Sequence, residues 1–129
     1  MKPDAILTIT SLLSILFFTI HQSDDVVRGF EPGGFNNINP ILIGALWLFA
    51  TVVLGARRSG YILMLLGALL GCLLPLAHMR GAGMVGGRMA NTSGMLFFVW
   101  TLLALGVTAV SSVVLSALGL WRLRRSAPR

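Results

Sequence analysis

Four apolar segments, each close to the length needed to cross a lipid bilayer, constrain the fold of this chain more than any other feature. A membrane-spanning helix needs about 20 mainly apolar residues, with roughly 17 to 25 as the working range. The four segments are 6–20, 41–56, 61–79 and 95–121. Because 56% of the 129 residues are hydrophobic and only 11% are charged, the chain is too apolar for a soluble domain of this length. The sequence therefore predicts a single all-α integral membrane domain, a four-helix bundle.

The distribution of lysine and arginine predicts how these segments are oriented. With the N-terminus in the cytoplasm, seven basic residues and one acidic residue lie on the cytoplasmic side, against three of each on the other side. Basic loops resist translocation, so this arrangement, with both termini cytoplasmic, is favoured over its inverse. The basic residues thus indicate topology rather than a nucleic-acid surface, and the lipid bilayer is the expected partner. Two external loops, 22–40 and 80–94, then connect the segments.

Small residues recur at helical spacing on the last two segments. Spanning helices associate through close packing and interhelical hydrogen bonds, which favour small residues at their contacts. Gly67 and Gly71 form a G-x-x-x-G step, and every fourth residue is small at Ala104, Thr108, Ser112 and Ser116. We interpret both stripes as helix-packing surfaces. They would either close one bundle or join the chain to a second copy or to another membrane protein.

The group of residues best suited to chemistry lies at the external ends of the first and third segments. His21, Asp24 and Asp25 have the spacing i, i+3 and i+4, so they share one face if the first helix continues that far. His78 reaches the same level at the end of the third segment, and Glu31 follows in the first external loop. Imidazole and carboxylate groups are ligands for zinc, iron or manganese, and two helix C-termini favour a cation. One hypothesis is therefore a divalent-metal site.

Other interpretations use the same end of the molecule. Arg28 and Arg80 are close enough in sequence to pair with the carboxylates, which would make the group a set of salt bridges at a solvated helix end. Axial ligation of a haem by His21 and His78 is disfavoured, because two aspartates make the position polar for a buried macrocycle. The methionines of the second external loop are soft ligands suited to Cu(I), but their spacing matches neither a compact cluster nor a helical face.

Two classes of function follow from these observations. The leading interpretation is a binding or structural membrane component without enzymatic activity, whose polar external face binds an ion, a small ligand or a partner protein. The alternative is a metal-dependent membrane enzyme, or a haem or electron-transfer subunit, that uses His21 and His78. The sequence contains no H-E-x-x-H motif and no multi-histidine box of the kind that marks metal enzymes.

The external loop also carries a pattern that resembles a known group of proteins. Residues 21–34 read H-x-x-D-D-x-x-R-G-x-E-P-G-G, followed by R-R-S-G-Y at 57–61 and F-F-V-W-T at 97–101. With these runs, most of the chain resembles small, uncharacterised four-span bacterial membrane proteins. The resemblance implies the bacterial plasma membrane as the location, but it brings no activity and no functional residue with it.

Overall fold

The chain forms four helices, and no strand, in residues 3–79 and 93–126, which are the residues that this computed structural model describes. The helices are α1 (Pro3–Val27), α2 (Asn39–Phe49), α3 (Arg58–Met79) and α4 (Met95–Ser126). A 3₁₀ turn precedes α2, and a π-helical turn, Ala50–Leu54, continues it. Helices α1, α3 and α4 are long and apolar enough to cross a membrane, whereas the apolar stretch Asn39–Leu54 is shorter. The prediction of an all-α chain is confirmed.

Helix α1 is longer than the apolar segment that predicts it. We expected the span to end at Ile20 and an external loop to begin at Gln22, but the helix continues to Val27. Some of the polar residues of its last turns form hydrogen bonds along the helix. Ser23 Oγ, for example, donates to the carbonyl oxygen of Thr19 at 2.7 Å. The loss of hydrophobicity therefore marks the end of the apolar segment rather than the end of the helix.

Contacts at the two ends of the molecule establish the directions of α1, α3 and α4. At one end, Tyr61 Oη donates to Asp4 Oδ1 at 2.7 Å, so the first turns of α3 and α1 are neighbours. Arg122, near the end of α4, donates to the same oxygen at 3.4 Å. At the other end, the last turns of α1 and α3 meet the first turn of α4. Helices α1 and α3 therefore run parallel, and α4 is antiparallel to both.

Trp47 holds α2 against its neighbours. Its side chain is buried, and Nε1 donates to Ser11 Oγ at 2.9 Å. The same Ser11 oxygen lies 2.8 Å from Thr51 Oγ1. The indole also packs on Gly67, where an added Cβ would lie 2.5 Å from the ring, and its edge reaches Gly71. Both glycines of the predicted G-x-x-x-G step thus lie at helix contacts, and Gly71 also faces α4.

A seam of hydroxyl groups joins α1 and α4. Ser14 Oγ donates to Thr108 Oγ1 at 3.0 Å, and Ser112 Oγ donates to Thr10 Oγ1 at 3.0 Å. Hydroxyl groups in apolar surroundings are stabilised by such partners, and in this way they link helices. In the predicted stripe on α4, Ala104 and Thr108 are half-buried, whereas Ser112 and Ser116 are buried.

The outward surfaces of the helices are apolar. Leu16, Leu73 and Val107 are 51%, 56% and 70% exposed, and many other large aliphatic side chains resemble them. Soluble monomers rarely expose contiguous apolar surface on this scale. The described helices therefore present the kind of surface that lipid chains cover.

We predict that Gly67→Ala destabilises the fold, because the added methyl group would collide with the indole of Trp47. Overpacking of this kind costs about 1–3 kcal/mol, so the midpoint of thermal unfolding in detergent should fall by several degrees. Gly44→Ala is the matched control, since a methyl group there would lie 3.6 Å from Phe18, an ordinary contact. Equal midpoints for the two variants would contradict the packing described for Trp47.

Candidate metal centre

Two histidines and one aspartate meet where α1 and α3 end. One donor atom from each of His21, Asp25 and His78 lies within 4.8 Å of the other two. His21 and Asp25 are one turn apart on α1, and this spacing brings Nε2 within 3.6 Å of Oδ2. His78 belongs to the last turn of α3, which runs parallel to α1. The helix directions thus bring together three of the five residues predicted as ligands.

His21 and Asp25 are buried, His78 is half-buried, and three polar atoms of the two buried side chains are unpaired within the described part of the chain. His21 is 1% exposed and Asp25 is 6% exposed. Within residues 3–79 and 93–126, neither ring nitrogen of His21 has a hydrogen-bond partner, and neither does Oδ1 of Asp25. Leaving a buried donor or acceptor unpaired costs about 1–3 kcal/mol. A cation bound by one ring nitrogen of His21 and by the carboxylate of Asp25 would offset part of that cost, while the second ring nitrogen of His21 would keep no partner among the described residues.

The orientation of His78 leaves one ring nitrogen available for an ion. Its Nδ1 lies 2.9 Å from the carbonyl oxygen of Leu74, one turn earlier on α3. A carbonyl oxygen only accepts hydrogen bonds, so this geometry assigns the hydrogen of the neutral ring to Nδ1 and a lone pair to Nε2. Histidines that bind metals commonly have this arrangement, in which a backbone carbonyl fixes the tautomer.

Phe98 covers the two imidazoles from the side of α4. Its ring centroid lies 4.8 Å from that of His21 and 5.5 Å from that of His78, and the two imidazole centroids are 5.0 Å apart. The phenyl ring is itself buried. These contacts restrict the rotation of both imidazoles and surround them with apolar surface. Sequence reasoning missed Phe98, because an aromatic residue in an apolar segment has the same signature as core packing.

Two residues predicted as ligands lie outside this group. Asp24 Oδ2 accepts a hydrogen bond from Arg28 Nε at 2.7 Å, so this carboxylate forms an ion pair with Arg28. Glu31 is exposed in the loop after α1, where its N–H donates to the carbonyl oxygen of Asp25 at 3.3 Å. The structure therefore separates Asp24 and Glu31 from the two histidines. Of the predicted salt-bridge residues, Arg28 pairs with Asp24, and Arg80 lies outside the described residues.

The backbone around the site favours positive charge. Helices α1 and α3 both end here, and the last carbonyl groups of a helix carry partial negative charge. Asp25 adds a carboxylate at the same level. Arg28 is directed towards Asp24 and α4, where its guanidinium is engaged. Two imidazoles, one carboxylate and two helix C-termini thus form a set of groups suited to a cation.

Comparison with known proteins adds no functional precedent. The chain matches no protein-family model, no curated protein and no solved structure. The resemblance to four-span bacterial proteins stays a prediction.

Proposed function

We propose that this protein is a multi-pass protein of the bacterial plasma membrane that binds one divalent transition-metal ion through His21, Asp25 and His78. The observation that carries the proposal is the convergence of three donor atoms within 4.8 Å. Two donors at about 2.1 Å from a tetrahedral ion lie about 3.4 Å apart. The 3.6 Å between His21 Nε2 and Asp25 Oδ2 is close to that separation. His78 needs a shift of roughly 1.5 Å or less to complete the set.

The donor set favours zinc and its neighbours. Imidazole nitrogen suits zinc and iron, and a carboxylate is compatible with both and with manganese. Calcium and magnesium prefer ligand sets made of oxygen alone, so two imidazoles disfavour them. The methionines of residues 80–92, which are the soft ligands suited to Cu(I), lie outside the described residues. The donors that converge at the site are imidazole and carboxylate groups, which suit zinc, iron and manganese better than Cu(I).

The membrane location has separate support. Three helices are long and apolar enough to span a bilayer, and their outward surfaces carry large aliphatic side chains. With both termini in the cytoplasm, the end that holds Asp4, Tyr61 and Arg122 is the inner end, and the metal site faces the outside. Helix α2, with its π-helical continuation, is shorter than a standard span. It would cross by local thinning of the bilayer to complete a four-helix membrane bundle.

Binding is favoured over catalysis and over haem ligation. Three protein donors leave one position of a tetrahedral ion open, as in catalytic zinc sites, so a metal-dependent enzyme is the alternative. However, Phe98 packs on both imidazoles, and a cleft of about 570 Å³ between α1 and α2 includes none of the three ligands. A haem with two histidine ligands lies between their rings. Here the imidazoles of His21 and His78 contact each other edge to face.

Zinc retention tests the proposal directly. Detergent-purified protein, loaded with zinc and freed of excess, should retain about one ion per chain, measured by elemental mass spectrometry. His21→Ala/His78→Ala should retain none. Retention by the double variant equal to that of the natural protein, or no retention by either, would overturn the proposal.

The two neighbouring aspartates provide a matched pair for the same measurement. We expect Asp25→Asn to weaken zinc binding by more than about tenfold, because it removes a ligand. Asp24→Asn should leave the affinity within about twofold, since the Asp24 carboxylate is paired with Arg28. If Asp24→Asn loses affinity for zinc and Asp25→Asn does not, the ligand is Asp24, and the proposed role of Asp25 is wrong.

Cysteine labelling in intact cells tests the orientation. Cys72 is the single cysteine, so Cys72→Ser provides a background without thiols. In that background Phe35→Cys, at a position that is 93% exposed before α2, should react with a membrane-impermeant maleimide. Arg57→Cys, in the exposed turn before α3, should react only after permeabilisation. The inverse pattern would place the metal site in the cytoplasm.

A further inference from the structure

We propose that Arg28 is a positioning residue that holds the first turn of α4 over the metal site and so sets the rate at which ions enter and leave. The inference rests on the proposed metal binding and concerns a residue that is not a ligand. The guanidinium group of Arg28 joins the end of α1 to the residues just before α4.

The guanidinium of Arg28 bonds to both helices. Its Nε donates to Asp24 Oδ2 at 2.7 Å, which fixes the side chain on α1. Its Nη1 donates to the carbonyl oxygen of Ser93 at 3.1 Å, immediately before α4. The planar fork of an arginine can serve two acceptors at once, whereas the ammonium of a lysine acts as a point charge. Asp24, Arg28, Ser93 and Gly94 together form what we call the Arg28 bridge.

The glycine at position 94 permits the close contact with Arg28. Its φ of +84° lies in the left-handed region, and an added Cβ would lie 2.5 Å from Arg28 Nη2. A glycine therefore permits both the backbone conformation and the close approach of the guanidinium. The carbonyl oxygen of Gly94 accepts the N–H of Phe98 at 3.0 Å. The Arg28 bridge thus holds the turn that carries Phe98.

Phe98 connects the bridge to the metal site. Its ring packs on both imidazoles, and His21 is only 1% exposed beneath it. Access to His21 from the side of α4 therefore requires Phe98 or the first turn of α4 to move. Because the Arg28 bridge fixes that turn, opening of the site on this side requires the bridge to break. Loss of the bridge leaves the three metal ligands in place but allows Phe98 and the first turn of α4 to move more freely.

The first test compares exchange rates with affinity. In full-length Arg28→Ala, both association and dissociation of zinc should become about tenfold faster, which corresponds to the loss of one charge-assisted hydrogen bond from the closed state. The dissociation constant should change by less than about twofold, because both rates change together. Stopped-flow transfer of zinc to and from a coloured chelator measures both rates. Arg124→Ala, which removes an exposed arginine at the opposite end of α4, is the matched control and should exchange zinc at the natural rate.

A weaker affinity with an unchanged association rate would show that Arg28 only stabilises the fold, and the inference would be overturned. Gly94→Ala perturbs the bridge from the side of α4 and should accelerate exchange in the same way. If Arg28→Ala does not fold, Arg28→Lys and Gly94→Ala carry the test, and natural exchange rates in both would likewise overturn it.

The second test needs no metal. His21 and His78 are the only histidines in the chain, so acylation of imidazole by diethyl pyrocarbonate reports on the site alone. In metal-free Arg28→Ala, acylation should be about tenfold faster than in the natural protein and in Arg124→Ala. Faster acylation together with no zinc binding by the natural protein would refute the proposed function and its consequence for zinc exchange, and would keep only the part in which Arg28 holds the first turn of α4 against the histidines. Normal zinc retention with unchanged acylation and exchange would refute the role of Arg28 alone.

Discussion

The packing of α4 along both α1 and α3 is the constraint on which the rest of the structure depends. Small residues permit this packing, because Gly71, Gly106 and Gly119 each lie where an added Cβ would press on a neighbouring side chain across the α3–α4 contact. Paired hydroxyl groups fix α4 against α1. Since α1 and α3 lie along the same antiparallel helix, they run parallel, and the last turns of α1 lie beside the end of α3. A histidine near the end of each is thereby brought to one point.

Burial leaves polar atoms of His21 and Asp25 without hydrogen-bond partners among the described residues. A histidine and an aspartate on a solvated helix end would bond to water, but here His21 and Asp25 are buried, and His21 packs against Phe98 and His78. Their unpaired nitrogen and oxygen atoms make the metal-free arrangement unfavourable, by about 1–3 kcal/mol for each atom. An ion bound by one nitrogen of His21 and by the Asp25 carboxylate would relieve part of this penalty.

The sequence predicts the helices well and the site in part. Apolar composition marks the segments, and the spacing of His21 and Asp25 places them one turn apart on a helix. His78 follows from the parallel directions of α1 and α3. Spacing alone does not decide whether Asp24 turns towards His21 or towards Arg28, because both lie within one turn of it, and the structure shows the pair with Arg28. The role of Phe98 depends on contacts between helices, which hydropathy does not encode.

X-ray absorption spectroscopy at the zinc edge, on the natural protein loaded with one equivalent of zinc, tests the central claim most directly. Ligation by His21, Asp25 and His78 predicts a shell of nitrogen and oxygen at about 2.0–2.2 Å, with outer-shell scattering from two imidazoles and none from sulfur. A sulfur shell at about 2.3 Å would assign the ion to Cys72. A spectrum without imidazole scattering would likewise show that the histidines at the ends of α1 and α3 do not form a metal site.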